Sequence, residues 1–238
     1  MAGAPPGVPV AAVERSDDFA AHSVSYALTG SPPGRPDEGA AMQIILSDFM
    51  SLDGVVQAPG GREEDTDGGF THGGWSMPYF DMAAMGPALD HVMASTEALL
   101  FGRRTWQTMA AAWPGRAGDP FADRMNEIPK YVAPRTLTQD DLTWSNSTLL
   151  PTDNAIGAIR QLRTRNGTGL QVMGSASLAR QLIEHDLVDE YRLMLEPILL
   201  GGGKRLFPDD RRARPLELVA AAPAGTGVLI CTYRPAAQ

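Results

Sequence analysis

Short apolar runs, each halted by a glycine, a proline or a charge, alternate along most of this chain with stretches whose apolar positions recur every three to four residues. The clearest run is Ala98-Leu99-Leu100-Phe101, stopped at Gly102-Arg103-Arg104. Four apolar residues without alternation predict a strand covered on both faces, as in the middle of a mostly parallel sheet. Gln43–Phe49, Lys130–Ala133, Trp144–Leu149, Leu170–Met173 and Arg192–Leu200 predict further strands. Between them the period is helical. Pro87–Ala94 predicts a helix with proline in its first turn; a second follows Gly102 and ends at Trp113-Pro114-Gly115, and Asp119–Glu127 predicts a third. Ala155, Ala158, Ile159 and Leu162 form an i, i+3, i+4, i+7 stripe, capped by Thr152 or Asp153 and stopped at Asn166-Gly167. Leu178, Leu182 and Ile183 face inward on a helix that opens at Gly174-Ser175-Ala176-Ser177. Leu216–Ala222 and Val228–Tyr233, joined through Pro223–Gly227, predict a terminal antiparallel hairpin. The expected class is α/β: a mixed, mostly parallel central sheet flanked by helices with a C-terminal antiparallel hairpin, in one domain over 42–238.

Two segments break the alternation. Residues 1–41 are rich in Ala, Gly, Pro and Ser without a sustained apolar period, a composition that predicts a flexible extension; Phe19–Leu28 as a short interaction segment is the other reading. Gln57–Tyr79 is a long glycine-rich loop with the acidic cluster Glu63-Glu64-Asp65, expected as a solvated face, and with Phe70, His72, Trp75 and Tyr79 as material to close over a ligand. Loops of this length inside a domain are commonly functional, and this one is expected on the substrate side.

Composition narrows the partners. The 238 residues carry a net charge of −8, with 43% hydrophobic and 20% charged positions. An acidic chain without a basic block gains nothing from counterion release, so nucleic acid and anionic membrane are not expected partners. Nor does any apolar run reach membrane-spanning length. The single cysteine, Cys231, excludes an internal disulfide and a cysteine-rich zinc site, and points to a reducing, cytoplasmic compartment.

The candidate chemistry lies where strands end. Gly102 lets a ligand approach the backbone, the helix start after it favours an anion, and Arg103 and Arg104 add bidentate donors suited to phosphate. Gly174-Ser175-Ala176-Ser177 repeats the pattern of buried strand, glycine and helix start, so the two could hold the two halves of a dinucleotide. Asp53, in the turn Asp53-Gly54, and Glu196, before Pro197, are the candidate polar groups at the substrate. A carboxyl buried there acts as acid or orients substrate. The competing readings are that Asp53 closes a turn and that Glu196 bonds the glycine loop Gly201-Gly202-Gly203. No metal site is expected.

Four runs stand in order: Ser51-Leu52-Asp53-Gly54; Leu100-Phe101-Gly102-Arg103-Arg104-Thr105-Trp106; Val172-Met173-Gly174-Ser175-Ala176; and Leu187-Val188-Asp189-Glu190-Tyr191-Arg192 through Pro197-Ile198-Leu199-Leu200-Gly201-Gly202-Gly203 to Leu206-Phe207. With these runs, nearly all of Met42–Pro235 resembles the dihydrofolate-reductase-like fold, in particular the reductase domain at the C-terminal end of the riboflavin-pathway protein RibD and its stand-alone relatives. The resemblance implies an NADPH-dependent oxidoreductase acting on a small heterocyclic or carbonyl substrate, with NADH the lesser cofactor and 5-amino-6-(5-phosphoribosylamino)uracil reductase-type activity among the possibilities. It implies that Gly102, Arg103, Arg104, Thr105, Met173, Gly174, Ser175, Ala176 and Ser177 face the cofactor phosphates, that Arg103, Arg104 or Arg135 meets the 2′-phosphate, and that the chain is a homodimer. The alternative is a non-catalytic nucleotide-binding dimer module. Dihydrofolate is not the expected substrate, because the family's helix carboxyl falls near Gly86 here, with Asp81 and Asp90 off register.

Overall fold

The run Ala98–Phe101 belongs to a strand in which every residue is buried. Its unbroken apolar character follows from its two neighbours: Leu100 packs into the cluster on one face of the sheet, while Leu99 and Phe101 pack into the cluster on the other. A computed structural model describes residues 41–116, 118–133 and 136–237. Expectations resting on residues 1–40 and on Arg135 lie outside the described residues.

Eight strands make one sheet: β1 (Gln43–Ser51), β2 (Ala98–Gly102), β3 (Lys130–Ala133), β4 (Ser147–Leu149), β5 (Gly169–Val172), β6 (Glu190–Glu196), β7 (Leu216–Pro223) and β8 (Leu229–Pro235). Their order is β4-β3-β2-β5-β1-β6-β8-β7. The first six are parallel, and β8 runs antiparallel between β6 and β7, as the patterning predicts. Helices α1 (Met82–Ala94), α2 (Arg103–Ala112), α3 (Pro120–Glu127), α4 (Ala155–Arg163) and α5 (Ala176–Glu184) flank it. The stripes of α4 and α5, Ile159, Leu162, Leu178 and Leu182, cover Ile44, Leu46, Leu170 and Val172. On the other face Met93, Trp106 and Met125 cover Phe101 and Val132, and Met85 packs with Met194 and Val228.

Several boundaries differ from expectation, each for a local reason. Helix α1 starts five residues before Pro87, because the Asp81 carboxylate accepts from the N–H groups of Ala83 and Ala84 and so caps an earlier turn. Pro87 therefore lies inside the helix. The cap of α4 is Asn154, whose Oδ1 accepts from Gly157 N–H at 3.2 Å, and not Thr152 or Asp153. Trp144 is not in β4; it packs at 6.0 Å from the Phe101 ring, its Nε1 donating to Asn126 Oδ1 at 2.7 Å. Strand β6 ends at Glu196 and does not run on to Leu200, since Pro197 has no N–H to continue the ladder. Asp189 serves the fold: its Oδ2 accepts from Ile44 N–H at 2.9 Å, and it pairs with Arg163, anchoring the start of β1.

Lys130 is fully buried in β3. Its Nζ donates to the carbonyls of Asn126, Ile128 and Ser145 at 3.0, 2.9 and 3.1 Å and lies 4.6 Å from the centroid of the Trp144 ring.

One departure from regular pairing positions everything that follows. Strand β1 pairs with β5 only over Gln43–Leu46, but with β6 as far as Ser51. Beyond Leu46 and Val172 the two central strands part, and a cleft opens at their carboxyl ends, where open α/β sheets bind ligands.

Candidate active-site cleft

The cleft has a volume of about 2330 Å³. Its walls include the starts of α2 and α5, the β1–α1 loop and the parted segment of β1. Helices α1, α3 and α4 have side-chain caps from Asp81, Asp119 and Asn154. Helices α2 and α5, which begin at the cleft after Gly102 and Ser175, have none. Their first-turn N–H groups and helix dipoles remain directed at whatever anion enters.

The two helix starts touch. A Cβ on Gly102 would stand 2.1 Å from Ser175 Oγ, and one on Gly174, whose φ is +83°, 3.1 Å from Thr105 Oγ1. Glycine is thus required at both, for close approach at the first and backbone conformation at the second. The Gly174–Ser175 peptide is cis. Gly102, Arg103, Arg104, Thr105, Met173, Gly174, Ser175, Ala176 and Ser177 all line the cleft, brought together from the carboxyl ends of the neighbouring strands β2 and β5.

The two arginines differ. Arg103 Nη1 donates to Gln107 Oε1 at 3.1 Å. Arg104 forms ion pairs with Asp65 at 3.1 Å and Asp67 at 2.7 Å, and Lys204 bonds the same two carboxylates. The bond from Lys204, with a smaller contribution from Arg104, holds Asp67 below the usual carboxylate range. Of the acidic cluster expected as a solvated face, Glu63 is exposed, whereas Glu64 and Asp65 are bonded within the fold. Gln57 Nε2 donates to the carbonyls of Asp65 and Asp67, Trp75 Nε1 donates to Gln57 O, and Glu64 Oε2 accepts from the N–H groups of Gly60 and Gly61. These bonds fold the loop back on itself and pin it to α2 and to the glycine loop. His72 is exposed on this loop, with Phe70 edge-on at 5.6 Å.

Of the two candidate carboxyls, Asp53 is outside the cleft lining. It accepts from Ser51 Oγ at 2.7 Å, Leu200 N–H at 3.1 Å and Gly201 N–H at 2.9 Å. Burial pushes its pKa up, but the bonds from Ser51, Leu200 and Gly201 outweigh this and leave it lowered. Asp53 is the clasp that closes the turn and holds the glycine loop. Glu196 is fully buried, and its Oε1 accepts from Ser76 Oγ at 2.6 Å rather than from the glycine loop; its Oε2 has no partner among the described residues. Burial raises its pKa to about 7, against the opposing effect of the Ser76 bond. Ser76 lines the cleft, so Glu196 stands one hydroxyl behind its wall.

Asp48, which the sequence reading did not single out, lines the cleft directly from the parted segment of β1. Among the described residues its Oδ2 is buried without a partner, as is the neighbouring Ser47 Oγ. Burial pushes its carboxyl well above the ordinary value; a backbone bond at Phe49 opposes the rise and the charge of Glu64 adds to it. The available signal was a lone acid inside the run Ile44-Ile45-Leu46-Ser47-Asp48-Phe49-Met50. Among the described residues no group of three or more His, Cys, Asp or Glu is arranged to hold a metal ion, and no helix is long and apolar enough to cross a membrane.

A parallel sheet parted at its centre, with two uncapped helix starts at the parting, defines a dihydrofolate-reductase-like domain. Within that class residues 42–230 match the model of the RibD C-terminal domain, and the chain belongs to that family. It is 26% identical over 200 residues to the uncharacterized protein YyaP of Bacillus subtilis, covering 80% of this chain and 94% of the relative. A pyrimidine reductase-like protein from Corynebacterium diphtheriae has the same fold, with a TM-score of 0.58 and 14% identity over 83% of this chain and 93% of the other. So does the dihydrofolate reductase of Enterococcus faecalis, solved with NADP(H), with a TM-score of 0.53 and 13% identity over 82% of this chain and 98% of the other.

Proposed function

We propose that this chain is an NADPH-dependent reductase of a small heterocyclic or carbonyl compound. The observation that carries the reading is the contact between the uncapped starts of α2 and α5 at Gly102 and Ser175, two helix N-termini side by side, beside a cleft wall backed by a carboxyl that holds a proton near neutrality. The N–H groups after Gly102, with Thr105, and those of Gly174–Ser177 would take the pyrophosphate, and Arg103 the 2′-phosphate; Arg104 and Arg135 are the further candidates. When bound, the reduced nicotinamide supplies hydride to the substrate. Glu196 holds the proton that the reduced substrate requires, and Ser76 connects it with the cleft. A cytoplasmic location, read from the single cysteine, and a homodimer, carried over from the family resemblance, complete the reading.

Fluorescence titration with NADPH and NADH tests it. NADPH is expected to bind more tightly, and Arg103→Ala to weaken NADPH by about tenfold, the loss of one charge-assisted contact to phosphate. Binding of neither nucleotide overturns the proposal.

The protonation of Glu196 is open to a measurement that needs no substrate. A carboxyl whose pKa is near 7 when folded and 4.5 when free keeps its proton in the native state after the unfolded chain has released it. Its contribution is complete below pH 4.5 and lost as pH rises through about 7. Urea midpoints of the wild type are expected to fall across that window by more than those of Glu196→Gln. Parallel pH profiles would remove Glu196 as the proton reservoir.

A further inference from the structure

The cleft does not end where the strands part. Its lining continues beneath α1 along one face of β1, β6 and β8. Alternate side chains of a strand share a face, and the register sorts this face into rungs. Ser51 stands opposite Glu196; Phe49, Met194 and Ile230 form the next rung, and Ser47, Arg192 and Thr232 the one beyond. Asp48, paired with Leu193, lies on the other face. Phe49, Met194 and Ile230 pack with Met85, Ala88 and Leu89 of α1 into an apolar cluster. The rung beyond is polar. Arg192 Nε donates to Glu190 Oε1 at 2.5 Å and Nη1 to Ser95 Oγ at 3.1 Å, which fixes the guanidinium and leaves Nη2 without a partner among the described residues. Ser47 Oγ, on the facing strand, is buried and likewise unpartnered among them. Buried polar atoms are nearly always hydrogen-bonded, so these two open donors mark the place of an acceptor.

The charges around the rung select the acceptor. Glu190 is buried and bonds both Arg192 and Arg234, one carboxylate against two guanidiniums. Glu217, opposite Arg234 in the register, is exposed and makes no ion pair among the described residues. One positive charge is left over. A monoanion neutralises it, whereas a phosphate monoester, with a charge of about −1.5 to −2, overshoots. The other cleft arginines without an ion pair, Arg103 and Arg180, stand on α2 and α5, whose starts are proposed for the nucleotide. Ser47 and Ser51 are two rungs apart along β1, about 13 Å at the rise of a strand, so a molecule anchored at Arg192 crosses the apolar rung before its other end reaches the rung of Glu196. We propose that Ser47, Arg192 and Thr232 anchor the carboxylate of an elongated apolar substrate whose reducible carbonyl lies at the rung of Glu196. This inference rests on the reductase reading and names the chemistry of the substrate's far end.

Biphenyl-4-carboxylate and its neutral amide, biphenyl-4-carboxamide, alike in shape, are the probes, each titrated calorimetrically into the wild type, Arg192→Gln and Ser47→Ala. The carboxylate is expected to bind the wild type about tenfold or more tightly than the amide, the range of a hydrogen bond to a charged group. In Arg192→Gln, where Glu190 keeps Arg234 as its partner, the carboxylate is expected to fall to the level of the amide. Ser47→Ala is expected to cost the carboxylate about fivefold, the share of one hydroxyl. Equal affinity for the two probes, absence of carboxylate binding, or a carboxylate affinity in either variant equal to that of the wild type overturns the inference. A urea unfolding curve confirms that each variant is folded, and NADPH titrated into the same preparations reads the cofactor half separately. Nucleotide binding without preference for the carboxylate sinks this inference alone, and preference for the carboxylate without nucleotide binding sinks the reductase reading.

Discussion

Gly102→Ala is expected to cost about 100-fold in NADPH affinity while leaving a folded protein. The added Cβ would lie 2.1 Å from Ser175 Oγ and 3.1 Å from Ser175 Cβ. Ser175 rotates or its loop shifts, and in either case the start of α5 moves relative to the start of α2. Overpacking of this kind costs about 1–3 kcal/mol. Because the two helix starts are proposed to grip one pyrophosphate, most of that cost appears in binding, and about 2.8 kcal/mol corresponds to 100-fold. Fluorescence titration beside a urea unfolding curve separates the two quantities. Unchanged affinity would show that the contact between the helix starts has no part in holding the nucleotide.

Lys130→Met is expected to destabilise the domain by about 3 kcal/mol or more, with the slope of the urea transition unchanged. Methionine fills a similar volume, but it leaves the carbonyls of Asn126, Ile128 and Ser145 without the ammonium that bonds all three. Each unsatisfied buried acceptor costs about 1–3 kcal/mol, and access of water to some of them brings the sum toward the lower end. The wild type also carries a pH signature. Burial lowers the Lys130 pKa from 10.5 to about 8, so between these values the unfolded chain binds the proton that the native state has released, and stability from this group rises with pH. The variant should lack that rise. A midpoint within experimental error of the wild type would mean that the three carbonyls are hydrated or re-paired.

The apparatus proposed for the nucleotide was largely legible in the sequence, because it is built from local signals. A buried strand, a glycine and a helix start occur twice, at Leu100-Phe101-Gly102 and Val172-Met173-Gly174, and both pairs line the cleft. Arg104 was legible as a cation but not as one already paired, since Asp65, its partner, lies 39 residues earlier in a loop without period. The substrate side was less legible. Asp53 follows a core strand and Glu196 ends one, and only their partners tell them apart: Asp53 bonds a loop 147 residues away, while Glu196 bonds Ser76 across 120 residues. Asp48 looked like one polar position in an apolar strand.

By itself the sequence determined the succession of strands and helices, the mixed sheet with its terminal hairpin and the two helix starts after glycine, because apolar period, glycines and helix boundaries act between near neighbours in the chain. Only the tertiary structure decided which carboxyl faces the cleft. Strand β1 leaves β5 after Leu46 while staying paired with β6, and that parting turns Asp48 from a core-facing position into a wall of the cleft. The physical reason is that a carboxyl's role depends on which donors, charges and water surround it, and those are supplied by segments distant in the chain.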